Sequence, residues 1–297
     1  MEKIYLSDSG PKVSPAIYGF YRWTGNDLHE KNMENIVNLC LELGINTFDH
    51  ADIYGDYSCE ELFGNLIRKK NIRRDQIVLF TKCGVNLPHP SQPEIRVRHY
   101  DTSRKHILES IDHSLRRLHT DYIDVFLLNH LDPISNLEET AFTLQKLRES
   151  GKIKNIGIVN FSVFQHQLLS AYLRAPIVTN HIELNLLNTA ALDNGQLDYI
   201  KQKYMRPLAT SPLAGGQIGH SAEKLPSLVR KKLEDLAPKY NANAESIAVA
   251  WLVKLGALPL IGTTNAGRIR NIASAFNIDL DHQDWYALYN ASRGQVE

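Results

Sequence analysis

The chain has 297 residues, enough for one large domain, since barrels of alternating strands and helices commonly place about 250 residues around a single core. Hydrophobic residues make up 43% and charged residues 22%, which is ordinary for a globular protein and speaks against disorder. The 33 basic and 33 acidic residues cancel, so no overall charge draws the molecule toward nucleic acid or an anionic membrane.

The amino-terminal segment, MEKIYLSDSGPKVS, has neither the basic region nor the apolar run of a secretory signal. No stretch approaches the roughly 20 apolar residues that cross a bilayer, so we expect a cytoplasmic protein with no membrane partner. Cys40, Cys59 and Cys83 are odd in number and never form a C-x-x-C pair. This pattern favours buried, reduced thiols over disulfides or a structural zinc site.

Short apolar runs alternate with longer amphipathic runs along nearly the whole chain, which is typical of strand and helix units around a parallel sheet. The turn-rich SDSGP predicts an amino-terminal β-hairpin. Eight strands are then predicted: AIYGF from Ala16, INTF from Ile45, IVLF from Ile77, IDVFLL from Ile123, IKNIGI from Ile153, IVTNHIEL from Ile177, RPLAT from Arg206 and ALPLI from Ala257. Eight such strands predict a (β/α)8 TIM barrel, with a final helix at the carboxyl end.

Five amphipathic runs predict helices between the strands: KNMENIVNLCLELG, SCEELFGNLIRKK, SRKHILESIDHSLRRLH, SNLEETAFTLQKLRESG and SVFQHQLLSAYL. Gly44 and Gly151 stand where helix ends favour a left-handed residue, and Ser103 and Ser135 are predicted amino-terminal caps. We find no linker, charge block or low-complexity tract that would divide the chain into two domains.

Polar side chains close successive predicted strands, where the catalytic groups of such barrels lie. Asp49 ends the second strand and Tyr54 follows it, Lys82 ends the third strand, and Asn129 ends the fourth. A nearby ammonium favours phenolate and lowers the pKa of a phenol, so Lys82 is predicted to make Tyr54 a general acid. Asp49 is predicted to hold Lys82 through an ion pair. Such a group protonates a carbonyl oxygen while a nicotinamide supplies hydride.

Long, ordered motifs carry a resemblance across nearly the full chain: GINTFDHADIYG, LFTKCG, YIDVFLLNHLDP, IKNIGIVNFS and PLIGTTNAGRIRNI. Together they resemble the aldo-keto reductase superfamily, and FDHADIYG with the late LYNASRGQ is similar to its bacterial YdhF-type subgroup. The resemblance implies a single barrel domain over residues 1–297, NADP(H) as cofactor, and a tetrad of Asp49, Tyr54, Lys82 and usually a histidine. Asn129 stands at the histidine position, and His130 follows it.

The resemblance also implies a set of cofactor-binding residues. Asn160 and His181 match positions that hold the nicotinamide carboxamide, and Thr210 occupies the place of a stacking aromatic residue. Thr263, Thr264 and Arg268 match contacts to the 2′-phosphate, on a helix start that suits an anion. The remaining implied cofactor contacts are Gly19, Tyr21, Arg22, Asp49, Ser211, Pro212, Leu213, Gly215, Gly216 and Asn271.

Trp23, Tyr57 and His130 are the predicted substrate contacts, and the segments after Gly84, His130 and Gly216, with the tail SRGQVE, are expected to set specificity. The function predicted is reduction of an aldehyde or ketone, a small-molecule carbonyl, to an alcohol by NADPH. Because Asn129 cannot titrate, an alternative is a low-activity NADP(H)-binding redox sensor or regulatory protein. A metal-dependent barrel hydrolase or isomerase is a third reading. No metal site or nucleic-acid partner is predicted, and the oligomeric state stays open.

Overall fold

Eight parallel strands close into a barrel in the computed structural model, which describes residues 1–220 and 222–295. Within these residues the strands are, in chain order, β1 (Ile4–Tyr5), β2 (Lys12–Val13), β3 (Ile17–Gly19), β4 (Thr47–Asp49), β5 (Val78–Cys83), β6 (Val85–Asn86), β7 (His99–Tyr100), β8 (Ile123–Asn129), β9 (Ile153–Val159), β10 (Ile177–Glu183), β11 (Leu208–Thr210) and β12 (Leu258–Ile261). The barrel contains β3, β4, β5, β8, β9, β10, β11 and β12, and β12 pairs with β3 to close it. Each of the eight predicted strands overlaps one of these, so the predicted barrel is confirmed.

The helices surround the barrel between successive strands. They are α1 (Glu30–Glu42), α2 (Tyr54–Tyr57), α3 (Cys59–Lys69), α4 (Arg104–Arg117), α5 (Leu137–Glu149), α6 (Val163–Tyr172), α7 (Gln196–Gln202), α8 (Gln217–His220), α9 (Ser227–Lys239), α10 (Ala244–Lys254), α11 (Ala266–Ser274) and α12 (His282–Ser292). The predicted helix after the barrel is α12, on which Trp285 stacks on Trp251 with ring centroids 5.1 Å apart.

Caps set the helix boundaries. Gly44 and Gly151 have φ angles of 78° and 79°, the left-handed conformation predicted for them. The Ser103 hydroxyl accepts a hydrogen bond from the backbone of α4, as predicted. The predicted cap at Ser135 is wrong: Asn136 caps α5 by accepting from two backbone N–H groups, while the Ser135 hydroxyl donates to Asp132. An asparagine one residue nearer to the helix satisfies its free amides better.

The barrel interior is filled by aliphatic and aromatic side chains, so its polar groups gather at one rim. The predicted amino-terminal hairpin is confirmed as the antiparallel pair β1–β2. Val13 of this hairpin and the adjacent Leu6 pack against interior residues such as Phe80 and Leu127, all fully buried. The hairpin thus covers the end of the barrel opposite to the carboxyl ends of the strands. All three cysteines are buried and unpaired.

A second hairpin, which the sequence pattern did not reveal, lies in the long segment after Gly84. Strands β6 and β7 pair antiparallel, and the chain between them extends as a loop beside the carboxyl end of the barrel. The phenol of Tyr57 donates to the Leu87 carbonyl at 2.8 Å and accepts from the Leu87 amide at 3.0 Å. The loop is therefore attached to the segment that follows β4.

Candidate active site

A buried ion pair lies at the carboxyl end of the barrel. Lys82, at the penultimate position of β5, places Nζ 2.7 Å from both carboxylate oxygens of Asp49 and 2.7 Å from the backbone carbonyl of His50. Burial raises the pKa of Asp49 and lowers that of Lys82, while each charge opposes this effect on the other. A buried ammonium is costly unless it is paired and hydrogen-bonded, and the three acceptors around Lys82 Nζ meet this requirement.

Tyr54 begins the short helix α2 directly beside this pair. The Lys82 ammonium lies 4.9 Å from the centroid of the Tyr54 ring, within the range of a cation–π contact. Burial raises the pKa of Tyr54 well above its usual value, and the carboxylate of Asp49 raises it further. The lowered pKa predicted from the sequence is not found, because desolvation and the neighbouring carboxylates raise the pKa of Tyr54. Tyr54 therefore keeps its proton at neutral pH.

A cavity of about 430 Å³ opens above these residues. Its lining includes several of the predicted site residues, contributed by seven strand ends and their loops: Tyr21, Tyr54, Lys82, Asn129, Asn160, His181 and Ser211. Thr24, Ile53, Asp56, Leu87, Val159, Thr210 and Leu260 also line it. Of these, Asp56 was within reach of sequence reasoning, since it follows Tyr54 by two residues. Leu87 was not, because its position depends on the contact with Tyr57.

His181, one of the residues that line this cavity, has two ring nitrogens without hydrogen-bond partners. Its ring is buried, and neither Nδ1 nor Nε2 has a partner in the protein. Burial lowers the pKa of His181 well below its usual value and Lys82 lowers it further, so the ring is neutral. A neutral imidazole offers one donor and one acceptor.

Asn129 and Asn160 end neighbouring strands, and His130 lies between their side chains. His130 Nδ1 is 3.1 Å from Asn129 Oδ1, and Nε2 is 3.4 Å from Asn160 Nδ2. The ring stacks on Tyr100 of β7, with centroids 4.9 Å apart. His130 and Asn160 have φ angles of 70° and 58°, so the chain turns sharply as it leaves β8 and β9. This turn keeps His130 next to Asn129, where an extended strand would separate them.

A second, narrow cavity adjoins the first and shares Tyr21 and Ser211 with it. Its other lining residues are Arg22, Pro212, Leu213, Gly215, Gly216, Gly262, Thr263, Arg268 and Ile272. A Cβ atom at Gly216, where φ is 97°, would lie 3.3 Å from Arg268 and 3.7 Å from Arg22, so two guanidinium groups face this glycine turn. Arg22, one of the implied cofactor contacts, thus lies in this narrow cavity.

Arg268 is held in position by a carboxylate that the sequence did not reveal. Its Nε donates to Glu245 Oε1 at 2.5 Å, and a second nitrogen donates to the Ile218 carbonyl at 3.1 Å. The other oxygen of Glu245 accepts from Asn271 at 2.6 Å. Glu245 lies 23 residues before Arg268 on another helix, and no local pattern signals such a pair.

Seven predicted contacts are not among the residues that line either cavity: Gly19, Asp49, Trp23, Tyr57, His130, Thr264 and Asn271. Trp23 is fully buried, packs on Phe20 and donates its indole N–H to Tyr18 at 3.0 Å, so the structure contradicts its assignment to substrate. The Tyr57 hydroxyl is occupied by Leu87 and does not face the cavity. Thr264 donates to Asp27 at 3.3 Å, and Asn271 is bound to Glu245. Gly19 lies beneath the site, where a Cβ would be 3.5 Å from Asp49 Oδ2.

Three further observations concern the described residues. His50, Asp52 and Glu60 are partly or fully buried; Glu60 accepts from Thr81 and Asp52 from Ser110. In this part of the chain no three His, Cys, Asp or Glu side chains are grouped to hold a metal ion. Helices long and apolar enough to span a bilayer are absent from residues 1–220 and 222–295. The final residues of the SRGQVE tail, 296 and 297, lie outside the described residues.

A closed (β/α)8 barrel with its polar groups collected at the carboxyl ends of the strands defines a barrel enzyme. The sequence profile of the aldo/keto reductase family matches residues 16–292, and the chain belongs to this family. It is 36% identical to the oxidoreductase YcsN of Bacillus subtilis over 99% of both chains. It is also 36% identical to a 6-dehydroglucose reductase of Agrobacterium fabrum, again over 99% of both.

The predicted likeness to the YdhF-type subgroup is confirmed. Oxidoreductase YdhF of Escherichia coli is 31% identical over 99% of this chain and 98% of its own length. Among solved structures, a thermostable aldo-keto reductase, Tm1743, in complex with the inhibitor epalrestat, superposes with a TM-score of 0.84. That match covers 98% of this chain and all of the other at 23% identity, and it supports the barrel fold. An oxidoreductase acting on small carbonyl compounds follows from the family.

Proposed function

We propose that this protein is an NADPH-dependent oxidoreductase that reduces an aldehyde or ketone to an alcohol, with Tyr54 as the general acid. The observation that carries the proposal is the shared cavity: Tyr54, Lys82 and Asn129 line the same 430 Å³ space. This space is joined through Tyr21 and Ser211 to the narrow cavity with two arginines. The arrangement suits a dinucleotide whose redox end and phosphate end are far apart.

The residues present fit such a cofactor. A nicotinamide carboxamide has a donor and an acceptor, and the two unpartnered ring nitrogens of His181 offer the complementary pair. Gly215 and Gly216 provide a turn without Cβ atoms where backbone can approach a phosphate closely, with Arg22 and Arg268 on either side. Arg268 and the cap of α11 suit the 2′-phosphate that distinguishes NADPH from NADH.

In this mechanism, bound NADPH supplies the hydride. Tyr54, protonated because burial raises its pKa, donates its proton to the substrate oxygen as charge develops there. Lys82, fixed by Asp49 and the His50 carbonyl, provides positive charge beside the phenol and stabilises the phenolate that remains. Asn129 donates a hydrogen bond to the same oxygen, but cannot exchange a proton.

The lining of the cavity supports a substrate that is small and partly polar. Ile53, Leu87 and Val159 provide apolar wall, while Thr24, Asp56 and Thr210 add hydrogen-bonding groups near the opening. The relative from Agrobacterium fabrum is named a 6-dehydroglucose reductase. A sugar aldehyde of that kind therefore belongs among the first compounds to test, with aromatic aldehydes, α-dicarbonyls and quinones beside it.

The test follows NADPH absorbance with purified protein and this panel, with Tyr54→Phe alongside. We expect turnover by the wild-type protein and a loss of about 10²- to 10⁴-fold in the variant, the usual contribution of a general acid, while NADPH binding is kept. Equal turnover by both proteins would exclude Tyr54 as the acid. Tight NADPH binding with no turnover by the wild-type protein would favour the regulatory alternative, for which Asn129 is the structural argument.

A further inference from the structure

The relay of side chains from Asn160 through His130 to Asn129 has a defined direction. Asn129 faces His130 with its amide oxygen, which can only accept a hydrogen bond, so His130 Nδ1 must carry the hydrogen. Asn160 faces the other ring nitrogen with its amide nitrogen, which can only donate, so Nε2 must be bare. Two contacts on opposite sides of the ring thus require the same neutral tautomer.

The surroundings of His130 support a fixed, neutral ring. Stacking on Tyr100 at 4.9 Å restricts rotation of the imidazole, and the left-handed backbone at φ 70° holds the residue at the strand end. Burial lowers the pKa of His130 and the nearby Arg98 lowers it further, so the ring is uncharged at neutral pH. The ring can therefore accept at Nε2 while it donates at Nδ1.

The direction of the relay decides which half of the Asn129 amide faces the substrate. An asparagine can present either its carbonyl oxygen or its NH₂ group, and a substrate carbonyl accepts hydrogen bonds but cannot donate them. Because His130 occupies the oxygen of Asn129, the NH₂ group is the half left for the cavity that this residue lines. In the opposite orientation, the amide oxygen of Asn129 would face the carbonyl oxygen of the substrate, and neither oxygen can donate a hydrogen bond.

We infer that His130 is a positioning residue that locks the Asn129 amide as a hydrogen-bond donor to the substrate oxygen and, through Asn160, links this lock to the cofactor. The inference rests on the proposed function. Asn160 uses one of its two amide hydrogens for His130, and its other hydrogen and its oxygen remain available for a nicotinamide carboxamide. A cofactor held by Asn160 would thus stabilise the relay that orients the substrate.

Kinetics of a double-mutant cycle test the inference, with Asn129→Ala and His130→Phe as the single changes. Phenylalanine keeps an aromatic ring against Tyr100 but removes both hydrogen bonds of His130. We expect His130→Phe to lower kcat/KM about tenfold in the wild-type background, the usual scale of one lost hydrogen bond. In the Asn129→Ala background, where there is no amide to orient, it should change kcat/KM less than twofold.

The matched control is His119→Phe. His119 also has a left-handed backbone, with φ 50°, and its ring contacts an asparagine, Asn65 at 3.0 Å, but it is exposed and lines neither cavity. This variant should keep wild-type kcat/KM. A tenfold loss from His130→Phe in both backgrounds would show that His130 acts independently of Asn129, and it would overturn the inference.

Spectroscopy can show which ring nitrogen of His130 carries the hydrogen, even if no substrate is found. Protein labelled with ¹⁵N at histidine, near pH 7.5 and without cofactor, should show a resonance pair with hydrogen on Nδ1 and a bare Nε2, absent from His130→Phe and kept in His119→Phe. A His130 signal with its hydrogen on Nε2 would overturn the inference. If the wild-type protein binds NADPH without turnover, the proposed function fails while this spectrum still decides the tautomer.

Discussion

Lys82 Nζ lies at the same distance, 2.7 Å, from both carboxylate oxygens of Asp49, and the two side chains are 3% and 0% exposed. Asp49 ends β4 and Lys82 is the penultimate residue of β5, so the pair also joins these two strands at the rim. A buried pair of this kind adds little net stability, but the loss of either member leaves an isolated charge in the core. The pair therefore fixes the site more than it holds the barrel together.

Asp49→Asn should lower the free energy of unfolding by about 3–5 kcal/mol, because the Lys82 charge loses its partner in the core. Urea unfolding followed by circular dichroism measures the change. The double variant Asp49→Asn, Lys82→Met should regain much of the loss, since no buried charge remains. A loss in Asp49→Asn no larger than that in Asp75→Asn, a carboxylate paired with Arg73 on the surface, would refute this account.

Arg268→Ala should weaken NADPH binding about 10- to 100-fold, the scale of one or two charge-assisted hydrogen bonds, and NADH binding far less. Titration of cofactor fluorescence gives both dissociation constants. Arg270→Ala is the matched control, because Arg270 lies on the exposed face of the same helix, α11, and should leave both constants unchanged. Equal weakening of NADPH and NADH by Arg268→Ala would exclude a contact to the 2′-phosphate.

His50 should make the protein sensitive to acid. Its ring is buried against Phe20, both nitrogens lack partners, and burial lowers its pKa well below the usual 6.5. Below pH 6.5 the His50 ring binds a proton in the unfolded chain but not in the folded state. The free energy of unfolding therefore falls by about 1.4 kcal/mol per pH unit from this group. Burial raises the pKa of Asp52 to about 7, which has the opposite effect on folding but is present in every variant.

The variant His50→Leu should therefore lose about 2 kcal/mol less than the wild-type protein between pH 6.5 and 5.0. Urea unfolding at both pH values measures this difference. His119→Leu, which changes an exposed histidine, should keep the wild-type dependence. An identical acid response of His50→Leu and the wild-type protein would show that His50 accepts a proton in the folded state.

Gly262→Ala should disturb both cavities through one ring. A Cβ atom at this position would lie 1.9 Å from Cε1 of Tyr21, and Tyr21 lines both cavities. We expect a loss of about 1–3 kcal/mol in the free energy of unfolding, the cost of overpacking, together with weaker NADPH binding. Thermal unfolding and cofactor titration measure the two effects. If Tyr21→Leu in the same chain does not restore stability, the clash with Tyr21 is not the cause.

The barrel strands were predictable because each is a short, mostly apolar run that alternates with a longer amphipathic run. Asp49, Lys82 and Asn129 could be assigned to one rim, since parallel strands place their carboxyl ends together. The direction of the Tyr54 pKa shift was not predictable, because the sequence shows the neighbouring ammonium but not the desolvation that raises the pKa. The sequence also did not predict the burial of Trp23. Its hydrogen-bond partner Tyr18 is nearby in sequence, but no local pattern shows that the Tyr18 side chain lies inside the protein.

Pairs that join distant segments account for most of the rest. Glu245 with Arg268, Asp27 with Thr264, and Tyr18 with the Thr263 carbonyl each connect separate parts of the chain. None of these pairs could be predicted from a local sequence pattern, because the sequence around one residue does not indicate which distant residue it contacts. The left-handed turn at His130 is of the same kind: alternation along a strand predicts that neighbours diverge, and one φ angle brings His130 back beside Asn129.

The hydrogen bonds between Leu87 and Tyr57 belong to a loop that shapes the cavity wall, whereas other elements of the barrel provide the groups for the proposed proton transfer. The loop between β6 and β7 contributes one wall through Leu87, whose backbone is hydrogen-bonded to the phenol of Tyr57. The proposed proton donor begins α2 instead, and its supporting charges belong to β4 and β5. Insertions, deletions or exchanges in this loop can thus change the cavity wall that contacts the substrate while Tyr54, Lys82 and Asp49 are kept. This makes the loop the natural place for directed evolution of new carbonyl preferences.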